Sequence, residues 1–192
     1  MTAAAGAGPD DRLAAEARRL NTRYVEEVVI GWDLCPWAAR AWIDGQVTQC
    51  VFPDATPDVA AVARFIDALV ADPRASIGLA LFPRVACTVG AWESFAEKVR
   101  RTRDDFVAAA FHPDYRAPDG PLDAARLVPF IRRTPDPTLQ LVRASLVDSL
   151  RGQVSNDVAR SNLDTVTARG LAKLDALLTD IGRDRDASYA GL

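Results

Sequence analysis

Three short apolar runs, residues 46–52, 76–82 and 106–111, are each closed by a proline: Phe52-Pro53, Phe82-Pro83 and Phe111-His112-Pro113. Proline has no N–H to give to a ladder, so a strand stops where it stands. Between the runs, apolar residues recur at steps of three and four. Val59, Val62, Ala63, Ile66, Leu69 and Val70 form one stripe, with Thr56-Pro57-Asp58 as its N-cap, first-turn proline and first-turn acid and Asp72-Pro73 as its stop. Trp92, Phe95, Ala96 and Val99 form a second stripe within residues 90–103. Strands alternating with helices predict an α/β (or α+β) fold. Its sheet is small, three- to four-stranded, built from a β-α-β-α-β core and parallel by default. A fourth strand is expected at an edge, between residues 116 and 130. Parallel strands would bring the three proline-closed ends to one edge, where open α/β sheets bind ligands.

Helices pack around this core at both ends of the chain. Leu13, Ala17, Leu20, Tyr24 and Val28 lie on one face of a helix over residues 10–30. Residues 122–131 read as a short helix broken at Pro129. Thr134-Pro135-Asp136-Pro137 reads as a helix start, with Leu139, Val142, Leu146 and Leu150 inward and Gly152 as its stop. A last helix begins at Ser155 and turns Val166, Leu174, Leu178 and Ile181 inward. Residues 1–9 read as a disordered lead and 183–192 as a frayed end, leaving 10–182 as a single domain. With 49% hydrophobic and 26% charged residues, 192 residues suffice for one sizeable core. The formal charge of -3 and the lack of a basic stripe exclude a general nucleic-acid binder. No apolar run approaches the roughly 18 residues of a membrane span. No leader-like segment opens the chain, so a cytoplasmic protein acting on a small molecule is expected. Oligomeric state is left open.

Chemistry-bearing residues cluster at three places. Cys35 precedes Pro36, and residues 36–43 can form a helix with Cys35 as N-cap. Amide N–H groups and the positive dipole end would then face its sulfur and favour thiolate; the alternative is a small buried hydrophobe. Trp32, Trp37 and Trp42 surround it and either wall a pocket or pack the helix. His112 is the single histidine, so any imidazole chemistry must use it. Asp114 could orient it, while Tyr115 and Arg116 could hold an anion. Arg132-Arg133 precedes Thr134-Pro135 and suits a carboxylate or phosphate. No metal motif, CxxC pair, P-loop or GxGxxG is present. Cys35-Pro36 is shared with short elements of some haem sites.

Several segments together resemble the bacterial domain-of-unknown-function 1415 family, over about residues 21–175. They are Asn21-Thr22-Arg23-Tyr24 running into Leu34-Cys35-Pro36-Trp37-Ala38, then Phe111-His112-Pro113-Asp114-Tyr115, then Arg133-Thr134-Pro135 to Arg143, and Arg160-Ser161-Asn162. The resemblance carries over matched positions and no activity: Arg23, Cys35, Pro36, His112, Asp114, Tyr115, Arg133, Arg143 and Asn162. The chain departs from the pattern at Asp33, where Asn is usual, at Asp136, where the pattern has Tyr, and at Gln140, where it has His.

Three readings follow. The first is a thiol-dependent enzyme for acyl transfer or hydrolysis on an anionic substrate. Cys35 is its nucleophile, His112 its proton carrier and Asp114 the orienting group. Arg23, Trp32, Trp37, Tyr115, Arg116, Arg133 and Arg143 bind the substrate, and no cofactor is needed. The second is a redox protein with haem or a metal ion on Cys35 or His112. The third is a non-catalytic binding module. The first requires the sulfur of Cys35 and the ring of His112 to meet in one cleft.

Overall fold

Four strands form one mixed sheet in the order β1 (Val47–Val51), β2 (Ile77–Leu81), β4 (Thr138–Arg143), β3 (Phe106–Phe111). The computed structural model describes residues 8–116, 119–150 and 155–192. β1 and β2 are parallel, and β4 runs antiparallel to both β2 and β3. β1, β2 and β3 therefore point the same way, and their proline-closed ends do share one edge. The purely parallel sheet is corrected. The fourth strand is central, and its residues were read as helix. Pro135 and Pro137 prevent the segment before it from pairing by its own N–H groups, while the Pro137 carbonyl accepts from Phe82 N–H at 3.0 Å. From Thr138 onward the side chains alternate, Leu139 and Leu141 to one face and Gln140 to the other, with a short helix α6 (Ala144–Leu150) only after the strand.

One face of the sheet is covered by α3 (Val59–Ala71) and α4 (Val89–Arg100). Val62, Phe65, Ile66 and Leu69 from α3, with Trp92, Phe95 and Val99 from α4, pack on Ala80, Ala108, Ala110, Leu139 and Leu141. Gly78 lets α3 lie this close, since a Cβ there would sit 2.4 Å from Leu69 Cδ1. α3 starts at Asp58, whose carboxylate accepts from the Ala60 and Ala61 N–H groups, two residues later than the Thr56 cap expected.

The other face packs against α1 (Pro9–Arg23), a π-helical segment (Tyr24–Ile30), α5 (Ala124–Ile131), α7 (Ser155–Arg169) and α8 (Leu171–Tyr189). Ala17, Tyr24, Val28, Leu127, Phe130, Val166, Leu174, Leu178 and Ile181 meet Leu79 and Leu81 there. α5 runs through Pro129 to Ile131 rather than breaking. The last helix is two, divided at Gly170, whose φ of 98° suits glycine best.

The frayed end is also corrected. α8 continues to Tyr189, and its last turns are fastened to the loop before β4. Arg185 Nε donates to Asp136 Oδ1 at 2.7 Å and the Tyr189 hydroxyl to Asp136 Oδ2 at 2.6 Å. A frayed end needs polar residues without partners, and Asp136 is buried and supplies both partners from far along the chain. The proposed stop at Gly152 and residues 1–7 of the lead lie outside the described residues; Pro9 already belongs to α1. Among the described residues no helix is long and apolar enough to cross a membrane.

Candidate functional site

The α1 periodicity continues past Arg23, but the hydrogen bonds lengthen to a five-residue step: Gly31 N–H donates to the Glu26 carbonyl and Leu34 N–H to Val29. This wide turn is the π-helical segment, and such turns recur at functional sites. Gly31 closes it, because a Cβ there would lie 2.5 Å from the Glu27 carbonyl oxygen. Asp33 then takes φ 53°, the sole non-glycine with positive φ among the described residues. Short polar side chains tolerate that conformation best. The reversal brings Leu34 and Cys35 back over the sheet face.

Beneath this loop lies a cavity of about 270 Å³. Tyr24, Val25 and Val29 of the π-helical segment, Trp42 of α2 (Ala38–Ile43), Ile77, Leu79 and Phe111 of the sheet, and Ile131 give it mostly apolar walls. Its polar groups are few. Cys35, Asn21, Gln140, Asn162, Thr134, Thr138 and Arg132 border it. Asn21 is 3% exposed, and its carbonyl oxygen is buried without a donor. Three segments that carry the family resemblance, around Asn21, Cys35 and Asn162, thus meet at one place, and Gln140 joins them.

Cys35 is half-buried. The helix after it begins at Ala38 with Trp37 as N-cap, so the expected helix from Pro36 with Cys35 as its cap is corrected. The Ala38 N–H donates to the Cys35 carbonyl at 3.0 Å, and the Trp37 and Ala38 amides together exert only a lowering pull on the thiol. Burial outweighs them and, with the Asp33 carboxylate nearby, pushes the thiol above its ordinary range.

His112 faces elsewhere. A polar cavity of about 540 Å³ opens at the proline-closed edge of the sheet, between Val85, Ala86 and Cys87 after β2, His112, Pro113 and Asp114 after β3, and α8. The Asp114 N–H donates to His112 Nδ1 at 3.1 Å, so in the neutral ring the proton sits on Nε2. Nε2 lies 3.8 Å from Cys87 Sγ. The neighbour of the imidazole is Cys87, not Cys35. Burial lowers the His112 pKa despite the nearby Asp114 carboxylate, and burial raises that of Cys87. The ring is held as a neutral donor toward sulfur rather than as a base for a thiol proton.

The other predicted residues are dispersed. Arg116 pairs with Asp114 at 2.9 Å on the rim of the polar cavity. Tyr115 donates to Glu93 at 2.8 Å in a shallow cleft beside it. Arg133 borders the polar cavity but is paired with Asp175 at 2.8 Å. Arg23 binds Glu27, Asp180 and Asp184, which docks α8 on α1. Arg143 donates to the Leu69, Asp72 and Ala75 carbonyls and closes the C-terminal end of α3. Trp32 is buried under the Arg169 guanidinium, and Trp37 lines neither cavity. The sequence reading missed Asn21, Arg132, Thr138 and Cys87. Arg132 stood in the Arg132-Arg133 motif, where the second arginine was chosen instead of the first.

Among the described residues no group of three or more His, Cys, Asp or Glu comes together. His112 Nδ1 is taken by a backbone donor, which leaves the proton on the nitrogen a metal would need.

The architecture and cavities define a small α+β protein with a thiol-bearing, mostly apolar cavity on one sheet face and a polar one at the sheet edge. The chain belongs to the family described as Protein of unknown function (DUF1415), which matches residues 16–176. No curated protein and no solved structure matches it.

Proposed function

We propose that the protein binds a small, largely apolar molecule in the cavity beneath Cys35, in the cytoplasm, where three unpaired thiols suit a reducing compartment. One observation carries the reading. A buried carboxamide oxygen, that of Asn21, stands without a donor in the wall of a mostly apolar space. Leaving such an acceptor unpaired costs about 1–3 kcal/mol, which a ligand N–H or O–H would recover. Apolar walls with a few convergent polar groups are the usual make-up of a ligand pocket.

A second reading is thiol-dependent acyl transfer or hydrolysis at Cys35. It is favoured by the place of Cys35, a half-buried free thiol bordering the cavity. In that case the thiol gives its proton to water as sulfur adds to the carbonyl carbon. The tetrahedral oxyanion collapses with loss of the alcohol or amine, which takes a proton back from water. A water or acceptor hydroxyl then cleaves the thioester and restores the thiol; His112 serves the other cavity.

Alkylation by iodoacetamide, followed site by site by mass spectrometry, tests both. Hexanamide, as a neutral probe, should slow modification of Cys35 and leave Cys50 and Cys87 unchanged. Equal rates with and without probe, for saturating hexanamide and for the six-carbon acids alike, would remove the binding reading. The chemical reading requires Cys35 to react fastest of the three at neutral pH; if it is slowest, only binding remains.

A further inference from the structure

Among the described residues, one cationic group, Arg132, lines the cavity beneath Cys35. Its neighbours are well paired: Arg116, Arg133 and Arg185 each have a carboxylate within ion-pair distance. Arg132 is half-buried and makes no ion pair with any described carboxylate. Its guanidinium stands 5.5 Å over the Phe111 ring, itself a wall of the cavity. On its outer side it borders the cleft of Tyr115 and Glu93, where Glu93 accepts from the Tyr115 hydroxyl. A half-buried guanidinium left without a counter-charge is costly, and a planar fork of donors matches a carboxylate.

We infer that the cavity takes an apolar monocarboxylic acid, its carboxylate on Arg132, its body against Val25, Val29, Leu79 and Phe111, and a donor near the carboxylate directed to Asn21. This rests on the binding reading above and names the class of its ligand. At roughly 30 Å³ per water-sized group, 270 Å³ admits about nine non-hydrogen atoms. That is the size of a six-carbon acid with one further hydroxyl or amino group. Neutral molecules of the same shape enter too, but without the charge-assisted bond.

Hexanoate, hexanamide and 2-hydroxyhexanoate are compared as protectors of Cys35 from iodoacetamide, on the full chain and on Arg132→Gln and Arg132→Lys. The expected order of affinity is 2-hydroxyhexanoate, hexanoate, hexanamide. Arg132→Gln should weaken both acids roughly tenfold or more and change hexanamide less than about twofold, since only the ionic hydrogen bond is lost. Arg132→Lys should recover part of the loss, because charge returns without the fork. The Arg132 backbone bonds do not involve its side chain, and a melting curve of each variant confirms that it is folded. If hexanamide protects as well as hexanoate, or Arg132→Gln leaves the acids unaffected, the carboxylate assignment is overturned while the cavity stands. If none of the three protects Cys35, both the assignment and the binding reading fail.

Discussion

Replacing Asp136 by Ala tests how the C-terminal helix is held. The carboxylate side chain is 3% exposed and receives two bonds, from Arg185 at 2.7 Å and Tyr189 at 2.6 Å. Bonds to a charged group are worth about 1.5–3 kcal/mol each, and removing the acceptor strands both donors. Arg185 is 27% exposed and keeps the Pro83 carbonyl and Asp186, so solvent and these partners recover part of its loss. The expected net cost is about 3 kcal/mol. For a chain of this length that lowers Tm by roughly 6–12 °C. Burial pushes the Asp136 carboxyl up, against the pull of Tyr189 and Arg185, so keeping it charged is itself costly. Asp136→Asn, which keeps an acceptor and drops the charge, should therefore lose less than Asp136→Ala. Tyr189→Phe removes one bond and should cost about 1–2 kcal/mol. Urea unfolding gives the free energies, and hydrogen exchange shows whether amides near residues 183–189 are protected. Losses under about 0.5 kcal/mol for Asp136→Ala and Tyr189→Phe, with no protection in the parent, would refute the clamp and restore the frayed end.

Arg143→Ala should destabilise by about 2–3 kcal/mol in urea, because the Leu69 and Asp72 carbonyls at the end of α3 and the Ala75 carbonyl before β2 lose their donor and Phe106 loses the guanidinium over its ring; Arg143→Lys should recover little of it. Hydrogen bonds from Arg19, then Arg23, hold the Asp184 carboxyl down at about 2, below its ordinary 3.8. A depressed carboxyl stabilises the fold above its unfolded value, so this contribution should be present above pH 4 and fade as pH falls from there through 2. NMR titration should place Asp184 near 2 and show it rising toward 3.8 in Arg19→Ala; a value near 3.8 in the parent would contradict the pairing.

Much of the fold is legible in the sequence, and the reasons for the gaps are local. β1, β2 and β3 announce themselves by apolar runs ended with proline, and α3 and α4 by their stripes. β4 is ambiguous, because Leu139 and Leu141 alternate while Leu139, Val142, Leu146 and Leu150 also step by three and four. Only pairing with two distant strands decides between them. The π-helical segment keeps helical spacing, and its wider hydrogen bonds leave no trace in residue types. The site suffers from a subtler effect. Phe111 and His112 are neighbours, yet one borders the apolar cavity and the other the polar one. The same holds for Arg132 and Arg133. Side chains one residue apart in an extended chain point to opposite sides, which parts Phe111 from His112 at the end of β3, whereas Arg132 and Arg133 part at the turn that ends α5. Cys35 and His112 border different cavities, and no spacing rule in the sequence tells that they do not share a wall.

The central position of β4 has a consequence for how the chain assembles. Among the described residues β3 pairs with β4 alone, and β2 meets β3 through it. Until residues 138–143 join, two apolar strands present bare edges, the arrangement most open to pairing with a foreign chain. Closing the sheet depends on contacts between residues far apart in sequence, which slows folding. A truncated or stalled chain ending before this strand would be sticky rather than merely unstable, and a chaperone that shields strand edges would matter most in that interval.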